Sequence, residues 1–370
     1  MGALQGITVL TFEHAIAAPF ATRQLADLGA RVIKVERPGV GDFARGYDER
    51  VRGLASHFVW TNRSKESLTL DVKHPEAKTI LRRLIEDDVD VVVQNLAPGA
   101  SARLGLGYAD LVKLKPGIIV CDISGFGNDG PYRDKKAYDL LIQSEAGFLS
   151  VTGTPDTPSK AGPSIADIAA GMYAYTNILA ALIERGKTGR GRHIDVSMLE
   201  SLAEWMSYPL YYAFEGQTPP PRTGASHATI YPYGPFPAGD GKSVMLGLQN
   251  EREWAAFCEK VLRQPAVERA DGVIAEILGD YSHADAAIGR RSRATVQRLG
   301  GRLEQCRKRL LKVADVAPLI GQHEQVRNRF AGRIDRNALG VQGGQAIVEP
   351  RLPVADVFHR LVERWQQRTE

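Results

Sequence analysis

The sequence predicts an α/β fold: a parallel sheet covered by helices, followed by a smaller second domain. Three observations predict it. Short runs rich in β-branched residues alternate with helical patterns through roughly the first 200 residues, the order that strand–helix–strand units impose. The chain's 370 residues exceed what one hydrophobic core usually covers. The stretch Glu215-Gly216-Gln217-Thr218-Pro219-Pro220-Pro221 ends regular structure and marks a linker.

Taken in order, Ile7-Thr8-Val9-Leu10 is a short strand, residues 20–28 a helical pattern, and Arg31-Val32-Ile33-Lys34-Val35 a second strand. Leu68-Thr69-Leu70-Asp71 reads as a third. A helix follows from Pro75, a good first-turn residue, to Glu86. Residues 89–93 and 118–123 are buried strands with a helix over 108–114 between them. Helices over 165–184 and 194–206 complete a large domain spanning 1–210. A linker covers 211–224. A strand over 241–248 and a helix over 251–262 make the start of a small α+β domain, 225–313. Its latter part, 264–313, is helical in composition but poorly patterned. From about Ala314 to the end the chain is expected to return to the large domain.

Composition narrows the function classes. Apolar content of 44% and charged content of 24% are ordinary for a soluble globular protein. No apolar run reaches the ~18 residues needed to cross a bilayer. The start, Met1-Gly2-Ala3-Leu4-Gln5-Gly6, carries neither a basic-then-apolar leader nor the Ser or Thr of a myristoylation site. Cys121, Cys258 and Cys306 are far apart and read as reduced, buried thiols of a cytoplasmic protein without a metal site. The net charge of +4 is local. Arg290, Arg291, Arg293, Arg298, Arg302, Arg307, Lys308, Arg309 and Lys312 face Glu304 alone, and setting that +8 aside turns the balance of the chain to −4. A solvated helical face accounts for it better than a nucleic-acid surface.

The chemistry centres on Asp167, in Ser164-Ile165-Ala166-Asp167-Ile168-Ala169-Ala170-Gly171. Ser164 as N-cap places Asp167 in the first turn of a helix, where the dipole favours negative charge by about 0.3–1 kcal/mol. The carboxylate is therefore expected to be ionised at neutral pH, with small neighbours leaving room for an acyl group. The competing reading is a plain capping arrangement in which the acid serves backbone donors. A dinucleotide site is disfavoured. Glu36 ends the second strand as in such folds, but the turn Phe12-Glu13-His14-Ala15-Ile16-Ala17-Ala18-Pro19 has no glycine to admit a pyrophosphate.

Five motifs occur in order along residues 1–205. They are Gln24 to Asp42; Asn62-Arg63-Ser64-Lys65 with Leu70-Asp71-Val72-Lys73; Gln94-Asn95-Leu96-Ala97-Pro98-Gly99 leading to Arg103-Leu104-Gly105; Gly130-Pro131 with Ala137-Tyr138-Asp139; and Lys187-Thr188-Gly189-Arg190-Gly191-Arg192. Together they resemble the class III CoA-transferases, the formyl-CoA transferase and carnitine CoA-transferase group. That resemblance implies an open, Rossmann-like parallel sheet, a smaller domain and two chains interlinked as a homodimer. It implies an acyl-CoA and a small carboxylic acid as partners, coenzyme A as substrate rather than bound cofactor, and neither nucleic acid nor membrane. The residue matching Asp167 attacks the thioester through covalent aspartyl intermediates. Positions matching Arg37, Leu70, Lys73, Asn95, Arg103, Lys136 and Met198 contact CoA, although Met198 is equally well plain core. His14 matches a site-lining histidine or is a buried structural imidazole. Asp139 orients the site or forms a salt bridge.

Departures shape the specificity. Related acyl-CoA racemases, the alternative activity, carry a His where Tyr138 stands, and a phenol with an ordinary pKa near 10 suits proton abstraction poorly. A CoA-binding homologue without activity is the other alternative. Ile16 replaces a glutamine of formyl-CoA transferase, which disfavours oxalate–formate exchange. Residues 224–234 and 246–254 resemble the mesaconyl-CoA, citramalate and itaconate CoA-transferases. There Arg222 and His227 either meet a second carboxylate or hold a loop.

Overall fold

The computed structural model describes residues 2–230, 232–238 and 240–262. The basic stretch expected at 264–313, Cys306 and the returning segment 314–370 lie outside the described residues. The chain divides into two compact units, Met1–Pro219 and Pro220–Glu370, with the break inside the proline run.

The first unit is built on a sheet of β1 (Thr8–Phe12), β2 (Arg31–Glu36), β3 (Lys65–Thr69), β4 (Val91–Gln94), β5 (Ile119–Ser124) and β6 (His193–Ser197). Its helices are α1 (Ala17–Asp27), α2 (Ser56–Asn62), α3 (Ala77–Asp87), α4 (Ala100–Arg103), α5 (Tyr108–Leu114), α6 (Asp139–Glu145), α7 (Phe148–Val151), α8 (Ile165–Thr188), α9 (Met198–Met206) and α10 (Tyr208–Tyr212). The strands are ordered β3-β2-β1-β4-β5-β6 and every neighbouring pair is parallel. Alternation along the central strands explains why both faces are covered. Val9, Val32, Val91, Val93 and Cys121 pack with α1 and α8 on one face, while Leu10, Ile33, Val92 and Val120 pack with Leu81, Ile85 and Leu111 of α3 and α5 on the other. A parallel sheet buried on both sides needs such strands.

Three expectations need correction. Residues 194–206 are not one helix. His193–Ser197 alternates, with Ile194 and Val196 buried, and pairs with β5 as an edge strand. Only then does Ser197 start α9, its hydroxyl accepting from the Glu200 amide at 3.2 Å. The third strand begins earlier than 68–71, at Lys65, because its polar Lys-Glu-Ser start still pairs fully with β2. Last, α8 is long and apolar enough to cross a membrane by length and composition, with mean hydropathy 1.3 over an 18-residue window. Its Ala166, Ala170, Ala174 and Ile178 are buried in the core cluster with residues of the sheet and α1.

In the second unit, β7 (Tyr233–Pro237) and β8 (Ser243–Gly247) form an antiparallel pair, followed by α11 (Glu251–Phe257), whose Asn250 cap accepts from the Glu253 amide at 2.9 Å.

Two glycines set the shape of the first unit. Gly191 passes so close to the Ile118 carbonyl that no side chain fits, which brings β6 onto the sheet edge. At Gly171, an added Cβ would stand 2.7 Å from the Ala17 carbonyl oxygen and 2.8 Å from Phe20 Cδ1. Gly171 thus lets α8 touch the first turn of α1. Gly171→Val is expected to destabilise the protein by about 1–3 kcal/mol, the usual range for an overpacked contact. Urea unfolding measures this, and an unchanged midpoint would mean that the two helices part without cost.

Candidate active site

Residues of one open parallel sheet that act on a ligand gather beyond the carboxyl ends of its strands, at the point where the strand order reverses. Here that point lies between β1 and β4. His14, just after β1, and Asn95, just after β4, meet across it. The Asn95 side chain accepts from the His14 amide and donates to the His14 carbonyl, both at 2.9 Å. From this edge a run of side chains crosses the sheet to the start of β6. Leu96 donates its amide to Gln94, Gln94 donates to Asp122, and Asp122 meets His193 at 2.8 Å. The His14 ring stacks on Phe43 with centroids 5.3 Å apart, and burial holds its pKa below the ordinary imidazole value despite Asp42 nearby.

Asp167 is partly buried in the first turn of α8. Ser164 is its N-cap residue but caps nothing with its hydroxyl. Asp139 does that work instead, its Oδ1 accepting from the amides of Ala166 at 2.8 Å and Asp167 at 3.3 Å. Its Oδ2 accepts from buried Gln143 at 2.6 Å, and Gln143 in turn accepts from the Ala161 amide at 2.9 Å. Asp139 therefore caps α8. The Asp167 carboxylate, relieved of its own helix, lies near enough to the amide of Ala17, which opens α1, for that N–H to lower its pKa.

This arrangement corrects the expectation of a fully ionised carboxylate. Burial and the adjacent Asp139 carboxylate push Asp167 up to about 7, against the Ala17 amide. The helix dipole, worth about 0.3–1 kcal/mol, is less than the ~1.4 kcal/mol of a single pKa unit, so it cannot hold the group down.

Behind α1 the sequence hides a buried ionic cluster. Lys34 is 1% exposed and donates to Asp42 at 2.6 Å and to Asn62 at 2.8 Å. Lys65 donates to Glu13 at 2.6 Å and to the Pro19 carbonyl at 3.0 Å. Thr11 and Thr22 hydroxyls occupy the other Glu13 oxygen. Burial alone would raise Glu13, but Lys65 and Lys34 outweigh it and hold it below the usual carboxylate value. Burial pulls Lys65 down to about 8. Two acids and two lysines balance, which is what makes such a cluster tolerable in a core. Glu36, the candidate ribose ligand of a dinucleotide site, is committed elsewhere: Arg45 binds it in bidentate fashion at 2.9 and 2.7 Å, and the Ser67 hydroxyl and Asp42 amide complete the set. Against the cost of burial, these bonds hold it near 2.

The other expected residues sit on the same edge but not in one cluster. Arg37, Leu70 and Met198 directly follow β2, β3 and β6. Lys73 lies in the turn after β3, Arg103 ends α4, and Lys136 and Tyr138 precede α6. Arg37, Lys73, Arg103, Lys136 and Tyr138 are exposed, and Met198 is 8% exposed within the core. Tyr47 was not expected. It lies near enough for Asp167 to help raise its pKa, after burial and Asp42, and its ring meets that of Phe43 at a tilt with centroids 5.9 Å apart. In the second unit, His227 Nδ1 accepts from the Thr229 and Ile230 amides, both at 3.1 Å, and so holds its loop.

A sequence model described as CoA-transferase family III matches residues 4–329. The chain is 37% identical over 267 residues to a succinyl-CoA:glutarate CoA-transferase of Mus musculus, covering 72% of this chain and 61% of that protein. It is 39% identical over 264 residues to a succinate–glutarate CoA-transferase of Agrobacterium fabrum, covering 69% and 65%. Against a succinyl-CoA:mesaconate CoA-transferase of Haloarcula hispanica the identity is 34% over 304 residues, covering 79% and 72%. The chain thus spans about six-tenths of the length of the first two relatives. Among solved structures, a CAIB/BAIF family protein from Brucella suis is similar with a TM-score of 0.65 at 32% identity, covering 76% of each chain.

The raised Asp167 has a consequence for stability. A carboxyl that holds its proton more tightly when folded makes stability fall as pH rises from about 4, its unfolded value, and level off above about 7. Asp167→Asn removes that penalty. Its Tm is expected to exceed that of the unsubstituted protein above pH ~7.5 and to converge with it toward pH ~4. Thermal melts across this range check it, and equal Tm values throughout would contradict the raised pKa.

Proposed function

The chain belongs to CoA-transferase family III, and on that premise we propose that it moves coenzyme A from a short-chain acyl-CoA to an acceptor carboxylate, with Asp167 as the covalent nucleophile. The observation that carries this reading is Asp167 itself. It is a partly exposed carboxylate whose helix is capped by a different acid, leaving its oxygens to a substrate and one amide. Relatives named for glutarate and mesaconate support a dicarboxylic substrate.

In the proposed sequence, an Asp167 oxygen adds to the thioester carbonyl carbon, the C–S bond breaks and CoA leaves as thiolate, forming an aspartyl–acyl anhydride. The thiolate adds to the Asp167 carbonyl carbon and expels the donor carboxylate, leaving Asp167 as a CoA thioester. The acceptor carboxylate attacks that thioester and again releases thiolate. The thiolate then attacks the acceptor's acyl carbon, which frees acyl-CoA and the Asp167 carboxylate. Only carboxylates and thiolates exchange, so no net proton is required. The Ala17 amide is placed to meet the oxyanion that forms on Asp167's own carbonyl carbon.

Arg37, Lys73, Arg103 and Lys136 are exposed cations along this edge, suited to CoA phosphates through charge-assisted hydrogen bonds. A homodimer is part of the reading: Trp205, Tyr208, Tyr211 and Phe214 leave a contiguous stretch of chain with large exposed aromatic surface, as a subunit contact would use.

Asp167→Ala is expected to abolish transfer between succinyl-CoA and glutarate or mesaconate while leaving the circular dichroism spectrum intact; full turnover in this variant would refute the nucleophile. In the unsubstituted enzyme, single-turnover rates should rise with pH through about 7 and then level, because only the ionised carboxylate attacks. A rate that stays flat well into acid would contradict it.

A further inference from the structure

We infer that Asp42 is a positioning residue for the nucleophile: it locks the strained turn at Ala15 that aims the Ala17 amide at Asp167. The inference rests on the reading of Asp167 as nucleophile. Ala15 has φ +61°, a left-handed conformation that is strained for a residue bearing a Cβ. Something must hold it there. Asp42, 1% exposed, accepts from the Ala15 amide at 3.3 Å and from the Ala44 amide at 2.9 Å through Oδ1, and from Lys34 at 2.6 Å through Oδ2. Its own amide is fixed on Glu36 at 3.0 Å.

Two residues beyond Ala15, α1 begins without a side-chain cap at Ile16 and without an acid in its first turn. Its leading amide therefore turns to Asp167, and the direction of that amide is set by the Ala15 turn. Asp42 is buried, so it touches no substrate; its Oδ1 also lies 3.9 Å from His14 Nδ1, a contact that the Ala15 substitutions leave in place. The Asp139 carboxylate from α6, Tyr47 from the turn after β2 and the Ala17 amide from α1 are the groups in electrostatic reach of Asp167. Asp42 also caps the turn Phe43–Gly46 that leads to Tyr47, through the Ala44 amide, so the Ala15 substitutions, which leave that cap in place, separate the two routes.

The test uses the full chain with succinyl-CoA and hydroxylamine, reading free CoA thiol release against pH, alongside CoA affinity. Asp42→Ala with Lys34→Met removes both partners, so no buried charge is orphaned. The double variant is expected to lose about tenfold in rate, the scale of one hydrogen bond to a charged group. Its pH midpoint should move up, since the amide that favours the ionised form is lost, with CoA affinity unchanged. Adding Ala15→Gly should restore rate and midpoint, because glycine takes a positive φ without a Cβ penalty. Ala15→Val, which leaves every charge in place, should lower the rate and raise the midpoint by itself. An unaltered rate and midpoint in either folded variant, or a loss that Ala15→Gly does not recover, overturns the proposal. Absence of thiol release from the unsubstituted enzyme instead overturns the nucleophile reading on which it rests.

Discussion

The backbone contact between α1 and α8 at Gly171 is the constraint on which the proposed site depends. Only a residue without a side chain lets the Ala17 turn come this close. Once it does, two helix N-termini lie side by side, and a separate acid faces each. Asp139 answers the amides of α8 and Asp167 answers the first amide of α1. Each acid caps a helix other than its own. The proposed nucleophile thereby faces the Ala17 amide instead of being absorbed into its own first turn.

The electrostatic result is a carboxylate poised near neutrality. Burial and Asp139 push the group up, and the amide draws it down by less. A carboxylate stripped of tight partners is a stronger nucleophile than one at its ordinary pKa, and one at about 7 remains ionised in a large fraction of molecules at neutral pH. The buried cluster of Glu13, Lys34, Asp42 and Lys65 works at one remove, fixing the turn from which α1 departs. It also gives a physical role to a sequence motif: Asn62 and Lys65 in Asn62-Arg63-Ser64-Lys65 are members of that cluster.

Much of the sheet was legible because central strands carry their burial in their own residues. Val9 and Leu10, or Val91 and Val92, point to opposite apolar layers and are apolar for that reason. β6 was misread because a two-period strand runs without a turn into an apolar helix, with Ser197 as its only punctuation. Asp167 could be singled out from its small neighbours and helix start. Its ionisation could not, since Asp139 and Ala17 reach it from 28 and 150 residues away in the chain. Lys34 was a missed signal: a lysine between Ile33 and Val35 in a buried strand demands a buried acid. Which acid it takes is a matter of tertiary structure.

The account stands most directly on whether Asp167 carries the acyl or CoA group. Mass spectrometry of the protein after incubation with succinyl-CoA and hydroxylamine tests this. The prediction is a hydroxamate on the peptide containing Asp167, formed only when acyl-CoA is present. An unmodified Asp167 in protein that has transferred CoA, or a hydroxamate on a different acid, would contradict it.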